Sequence, residues 1–99
     1  MNYILEGHDA VLVKDIQAWG RWYEAADRTV AKTKVTDDTE VSTVFLGIDH
    51  AFGVGEEPIL FETRVFGGPL DQEQVRYTTW DEAERGHKSM VLRVEENPQ

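Results

Sequence analysis

Two stretches of the chain repeat their apolar residues at the spacing of an α-helix. The first follows Asp15, a candidate N-cap, and predicts a helix to about Arg28. Its apolar side consists of Ile16, Trp19, Gly20, Tyr23, Ala26 and Val30. The second predicts a helix over residues 80–95, because Thr79 and Glu82 have the spacing of a capping box. Its apolar stripe consists of Trp80, Ala83, His87, Met90, Val91 and Val94.

Much of the remaining chain is rich in β-branched residues with alternating apolar positions. This pattern predicts strands over residues 3–6, 11–13, 30–36, 39–46, 59–66 and 75–79. Asp37 and Asp38 predict a tight turn. The strands are connected too closely for a crossover helix, so their pairing is predicted to be antiparallel. We therefore expect a single α+β domain over residues 1–99, with two layers: an antiparallel sheet of about four strands and two amphipathic helices packed on one of its faces.

The composition is that of a small globular protein. The chain has 99 residues, 40% of them hydrophobic, which is enough for one core. It contains no Cys, which excludes disulfides and Cys-ligated zinc. Its first residues lack the basic start and apolar run of a signal peptide, and it has no apolar stretch of about 20 residues that would span a bilayer. These features predict a soluble protein of the cytoplasm.

The charge is unevenly distributed along the chain. The net charge is −9, and residues 35–63, which we call the acidic segment, carry seven acidic side chains and no Lys or Arg. These acids are Asp37, Asp38, Glu40, Asp49, Glu56, Glu57 and Glu62. Residues 14–34 form a net-positive stretch, and their acids dilute any patch for phosphates. The charge therefore favours a partner with a basic protein surface over duplex nucleic acid or an anionic membrane. Mimicry of DNA by the acidic segment is a further interpretation.

Residues 47–58 form a long predicted connection between two strands, and binding residues gather on such connections. One interpretation makes Asp49 and His50 an acid–base pair, or two metal ligands completed by a nearby glutamate. The other makes the connection a recognition loop with an exposed aromatic tip and acidic steering charges. We favour the second, because neighbouring side chains on an extended loop usually point apart and no catalytic motif accompanies them. The expected partner-binding residues are Asp49, His50, Phe52 (the apolar tip), Glu56 and Glu57.

Three side chains elsewhere are further candidates. His8 is followed by Asp9, and this pair would form a metal site with the Asp49–His50 pair if the two loops met; two unrelated polar turns are the simpler interpretation. Trp22 lies on the flank of the first helical stripe and is a sixth partner-binding candidate. His87 lies within the second stripe, where a histidine usually packs and donates to a backbone carbonyl. We predict no catalytic residue, no bound metal and no cofactor.

Several motifs resemble those of a family of short proteins encoded by tailed phages and prophages. They are STVFLGIDHAFG at 42–53, LFET at 60–63, FGG at 66–68, YTTW at 77–80, EAE at 82–84, GH at 86–87 and an earlier set of Trp19, Trp22, AADR at 25–28 and VA at 30–31. The resemblance covers nearly the whole chain. It implies a phage origin and an intracellular setting, and it carries over no activity and no site residue.

Charge and resemblance together predict a small acidic phage-type protein in the cytoplasm of the host cell. We expect it to bind a host protein with a basic surface, such as a nucleic-acid-handling enzyme, and to modulate or block that protein. One alternative is a minimal metal-dependent enzyme that uses Asp49, His50 and His8. Another is a sponge that holds a small signalling ligand between loops. A monomer and a homodimer are both compatible with the sequence.

Overall fold

The computed structural model describes residues 1–51 and 57–97, which form an α+β domain. Its elements are β1 (Asn2–Glu6), β2 (Asp9–Val13), α1 (Ile16–Ala25), β3 (Thr29–Thr36), β4 (Thr39–Phe45), β5 (Phe61–Phe66), β6 (Gln74–Tyr77) and α2 (Trp80–Glu96). Each predicted helix and strand is present, with bounds that differ by a few residues. The α+β class predicted from the sequence is thereby confirmed.

The first helix is shorter than predicted. Asp15 caps it as expected, and its carboxylate accepts hydrogen bonds from the amides of Gln17 and Ala18. The helix ends at Ala25 rather than near Arg28, because Ala26 already has an extended backbone. Beyond it, the chain leads directly into β3.

Four strands form an antiparallel sheet in the order β3-β4-β5-β6, as the short connections predicted. The β1–β2 hairpin forms a second, two-stranded sheet. It is attached to the end of β4 by a bridge between Asn2 and Ile48 and by a hydrogen bond from the Tyr3 amide to the Gly47 carbonyl, 2.8 Å long.

The core lies between α2 and the four-stranded sheet. The capping box of Thr79 and Glu82 starts α2, and Asp81 and Glu82 lie in its first turn, where the helix dipole favours anions. Four residues of the predicted stripe are buried: Ala83, His87, Met90 and Val94. Met90 and Val94 pack with Val41 and Val65 toward the C-terminal end of α2. Toward its other end, Ala83 packs with Phe45, Leu60 and Phe61.

The helix α1 packs against the β1–β2 hairpin. The indole Nε1 of Trp19 donates to the Tyr3 carbonyl over 2.9 Å, and the ring of Trp22 meets that of Phe45 edge to face at 5.8 Å. None of its residues is fully buried, and Ile16, predicted on the apolar side, is exposed. In the described ranges, neither helix is long and apolar enough to cross a membrane.

Alternate side chains of the four-stranded sheet point away from α2. We call this side the outer face. On β4 the buried residues alternate with less buried ones, and the pairing with β5 aligns them across the strands. The outer face carries Lys32, Lys34, Glu40, Ser42, Val44, Glu62, Arg64, Phe66, Gln74 and Arg76. Among the described elements, α2 is the one that packs substantially on these strands, and it covers the other side.

Candidate binding surfaces

The structure divides the acidic segment between two ends of the sheet. Asp37 and Asp38 form the turn between β3 and β4, whereas Asp49 and Glu57 follow the opposite end of β4. A strand of seven residues separates these two groups by about 20 Å. Acids that are close in the sequence therefore form two separate surfaces. Glu62 belongs to neither surface, because it lies on the outer face.

Asp49 has a structural role at the base of the 47–58 connection. Its Oδ1 accepts hydrogen bonds from the amides of Ala51 and Ile59, at 2.8 and 3.0 Å. These two hydrogen bonds hold the pKa of the Asp49 carboxyl below its usual value. The carboxylate thus joins the two sides of the connection and stays ionised, which suits a clamp better than a proton-transfer group.

His50 is also tied to the backbone of the same connection. Its ring Nδ1 lies 2.8 Å from the Ile48 carbonyl oxygen, which requires a proton on Nδ1 for a hydrogen bond. Its amide donates to the Ile59 carbonyl over 2.9 Å. Ile59 therefore binds both Asp49 and His50, and the two predicted site residues share a backbone partner across the connection.

Of the three remaining predicted loop residues, the structure describes Glu57. Glu57 is exposed. Phe52 and Glu56 lie outside the described residues, so the proposed aromatic tip stays a prediction. The exposed charge of Glu57 is available to a partner at this end of the sheet.

The ring of His8 makes an aromatic contact. It stacks on the ring of Trp80, with the centroids 3.9 Å apart and the planes 8° apart. This contact joins the turn of the β1–β2 hairpin to the first residue of α2. Within residues 1–51 and 57–97, no three His, Asp or Glu side chains are grouped so that they could hold a metal ion.

Trp22 is half-buried and packs on Phe45, so it has a place in the core as well as on the flank of α1. Its role in partner binding stays a prediction. Arg28 lies beyond the end of α1. Its guanidinium lies 3.8 Å from the centre of the Tyr23 ring and donates to the Phe45 carbonyl. The Arg28 guanidinium is therefore directed toward the protein.

A buried polar network lies between α2 and the sheet. The imidazole of His87 is hydrogen-bonded to the hydroxyls of Thr33, at 2.8 Å, and Thr43, at 2.7 Å. The Thr43 hydroxyl is also bonded to that of Thr63, at 2.5 Å. The expectation that His87 binds a backbone carbonyl was wrong, because its two ring nitrogens are bonded to hydroxyls of β3 and β4. Burial lowers the pKa of His87.

Sequence reasoning missed an ion-pair group on the outer face. The carboxylate of Glu62 lies 3.2 Å from Nη2 of Arg64 and 3.0 Å from Nε of Arg76. The alternation along β5 puts Glu62 and Arg64 on one side of the strand, but the partner from β6 depends on the register of Glu62 with Arg76. The ring of Phe66, 45% exposed, lies on the same face.

Two depressions meet at Phe66. The first, of about 430 Å³, lies at the β3–β4 turn. It is lined by Lys34, Asp37, Asp38, Thr39, Glu40, Phe66 and Gly67. Gly67 has φ +88°, and a Cβ there would lie 1.8 Å from the Asp38 carbonyl oxygen, so only glycine allows this approach. The second depression, of about 230 Å³, is lined by Ser42, Val44, Glu62, Arg64 and Phe66 on the outer face.

Comparison of the chain with protein-family models, curated proteins and solved structures finds no match.

Proposed function

We propose that this protein binds a basic surface of a host protein and thereby modulates or blocks that protein. The observation that carries the proposal is the exposed acidic charge at the ends of the sheet. Asp37 and Asp38 lie at one end, and Glu57 lies at the other. In a chain of net charge −9, these groups attract a cationic surface and speed its approach.

We place the partner at the end that carries the 47–58 connection. Asp49 joins the two sides of this connection through Ala51 and Ile59, and Glu57 is exposed beside it. An aromatic anchor inside a charged rim is the usual anatomy of a binding hot spot. Phe52 would supply that anchor, and Glu56 would add to the steering charge.

The proposal includes an arrangement in which both helices cover one face of the sheet. Phe45 supports it, because its ring contacts Trp22 of α1 and packs in the same buried cluster as Ala83 of α2. The outer face and both ends of the sheet would then be the surfaces that partners reach.

From the resemblance to short proteins of tailed phages and prophages, we infer that the proposed partner is a protein of the bacterial host. A protein of this kind would act in the cytoplasm of a bacterial host. A nucleic-acid-handling enzyme is a suitable class of target, because its substrate channel is basic. An acidic ligand on that channel would compete with the substrate.

The test is affinity capture from a bacterial host lysate with the tagged protein. A variant with Glu56→Lys and Glu57→Lys serves as the comparison bait. We expect one host protein with a basic surface to be captured in stoichiometric amount, to be released by salt and to be lost with the variant. Capture of no stoichiometric protein, or equal capture by the two baits, would contradict the proposal.

A further inference from the structure

The outer face of the sheet has a charge opposite to that of the chain as a whole. It carries four cations, Lys32, Lys34, Arg64 and Arg76, and two acids, Glu40 and Glu62. The chain has a net charge of −9. This face is therefore locally cationic in an acidic protein, and a partner attracted to it differs in charge from the proposed basic partner.

The charge that the outer face exposes to solvent is more positive than a count of its charged residues indicates. The side chain of Glu62 is 10% exposed, whereas those of Arg64 and Arg76 are 38% and 37% exposed. The two arginines thus cover the carboxylate that pairs with them. A molecule that approaches this part of the face meets guanidinium groups and not the acid beneath them.

Glu62 holds the two arginines in place. It binds Nη2 of Arg64 and Nε of Arg76, and Nη2 of Arg64 also donates to Oε1 of Gln74 over 2.7 Å. In the described part of the chain, the buried Nε of Arg64 has no hydrogen-bond partner. Fixed guanidinium groups lose little conformational freedom when they bind a carboxylate, and their planar donors match its geometry. Glu62 is therefore a positioning residue.

The same face provides an apolar contact. The depression beside Arg64 includes Val44 and the exposed ring of Phe66, together with the Ser42 side chain. Phe66 lies two residues beyond Arg64 on β5, on the same side of the strand. A ligand that matches both the arginines and this apolar contact carries carboxylates and at least one apolar side chain.

We propose that the outer face binds an acidic segment of a partner protein, with its carboxylates at Arg64 and Arg76 and an apolar side chain on Phe66. A protein segment fits better than a nucleic acid. A single-stranded nucleic acid requires several aromatic rings for stacking, and the described outer face has one. Glu40 and the negative charge of the rest of the chain would also repel a continuous phosphate backbone. This surface is separate from the basic-partner surface proposed above, so either proposal can fail alone.

The test uses arrays of short synthetic peptides in three matched sets. One set combines Glu with apolar residues in varied spacing, the second has Lys in place of Glu, and the third has Gln. We expect the labelled protein to bind members of the Glu set only, and the best peptide to shift the amide signals of β4, β5 and β6 in NMR spectra. Arg76→Gln and Phe66→Ala should each lower the affinity for that peptide by about tenfold. Arg85→Gln, an exposed arginine of α2, is the charge-matched control and should change nothing.

Far-UV circular dichroism of each variant separates a local effect from unfolding, and the NMR titration of the unmodified protein does not depend on any variant. The proposal is overturned if no Glu peptide binds better than its Gln counterpart, or if the shifts lie outside β4, β5 and β6. It is also overturned if oligothymidylate binds the same face more tightly than every peptide, since that result assigns the face to nucleic acid.

Discussion

The imidazole Nδ1 of His87 lies 2.7 Å from the hydroxyl oxygen of Thr43, inside the apolar layer between α2 and the sheet. This hydroxyl also binds that of Thr63. Because all three side chains are buried, Thr63 and the Nδ1 of His87 depend on the Thr43 hydroxyl for these hydrogen bonds. The pair therefore fixes the position of α2 over β4 and β5 more specifically than apolar packing alone.

We predict that Thr43→Val lowers the free energy of unfolding by about 1–3 kcal/mol, because it leaves buried polar atoms of His87 and Thr63 without their partner. Ser42→Ala is the matched control, since Ser42 lies next to Thr43 on the outer side of β4. It should change stability by no more than about 0.5 kcal/mol. Urea denaturation of the two variants checks this. Equal losses would show that the network contributes nothing beyond packing.

The stability should fall as the pH is lowered from neutral, through His87. Burial makes its pKa in the folded protein lower than that of the unfolded chain, which is about 6.5. Below that pH the unfolded chain takes up the proton first, so the folded state loses free energy relative to it, by at most about 1.4 kcal/mol per pH unit. Above that pH the contribution of His87 is fully present.

The measurement is urea denaturation between pH 7.5 and 5.5, compared with His87→Gln, which cannot take up a proton; these two pH values bracket the histidine pKa of about 6.5. The variant should lose less stability over this range. Carboxyls with a lowered pKa, such as Asp49 and Glu82, make the free energy of unfolding depend on pH only at more acidic pH. An identical pH dependence in the two proteins would assign the effect to other groups.

Met90 and Leu92 lie on opposite sides of α2 and should respond differently to truncation. Met90 is 2% exposed in the core, and Leu92 is 57% exposed. We expect Met90→Ala to cost about 2–5 kcal/mol, because it leaves a cavity, and Leu92→Ala to cost little. Chemical denaturation of both variants decides this, and similar losses would contradict the assignment of the buried stripe.

Asp49→Ala should loosen the base of the 47–58 connection. Without the carboxylate, the amides of Ala51 and Ile59 lose their acceptor, so their hydrogen exchange should become several-fold faster. Glu57→Ala, in the same connection and exposed, should leave both rates unchanged. If Asp49→Ala also leaves them unchanged, the clamp assigned to Asp49 is wrong.

The sequence predicted those parts of the fold that depend on neighbouring residues. The capping box of Thr79 and Glu82 and the stripe through His87 and Met90 are local patterns, and both are present in the structure. The early end of α1 was not predicted, because residues 26–28 continue the helical spacing and nothing local marks the change to extended backbone.

The surfaces depend on contacts that a local pattern does not contain. The pairing of Glu62 with Arg76 requires the register of β5 with β6. The separation of Asp37 from Asp49 follows from the length of β4 and the direction in which it runs. The acidic segment is continuous only in the sequence, because a strand of the sheet lies between its two groups.

The most direct test of the proposed function is the association rate between this protein and the captured host partner, measured at low and high salt. Glu56→Lys with Glu57→Lys and Asp37→Lys with Asp38→Lys change the net charge equally, and Glu57 and Asp37 lie at opposite ends of β4. We predict that the first pair slows association and flattens its salt dependence, whereas the second has little effect. Phe52→Ala should leave the association rate unchanged and shorten the lifetime of the complex. A loss of association with the second pair alone, or with Trp22→Ala in a folded protein, would contradict binding through the 47–58 connection.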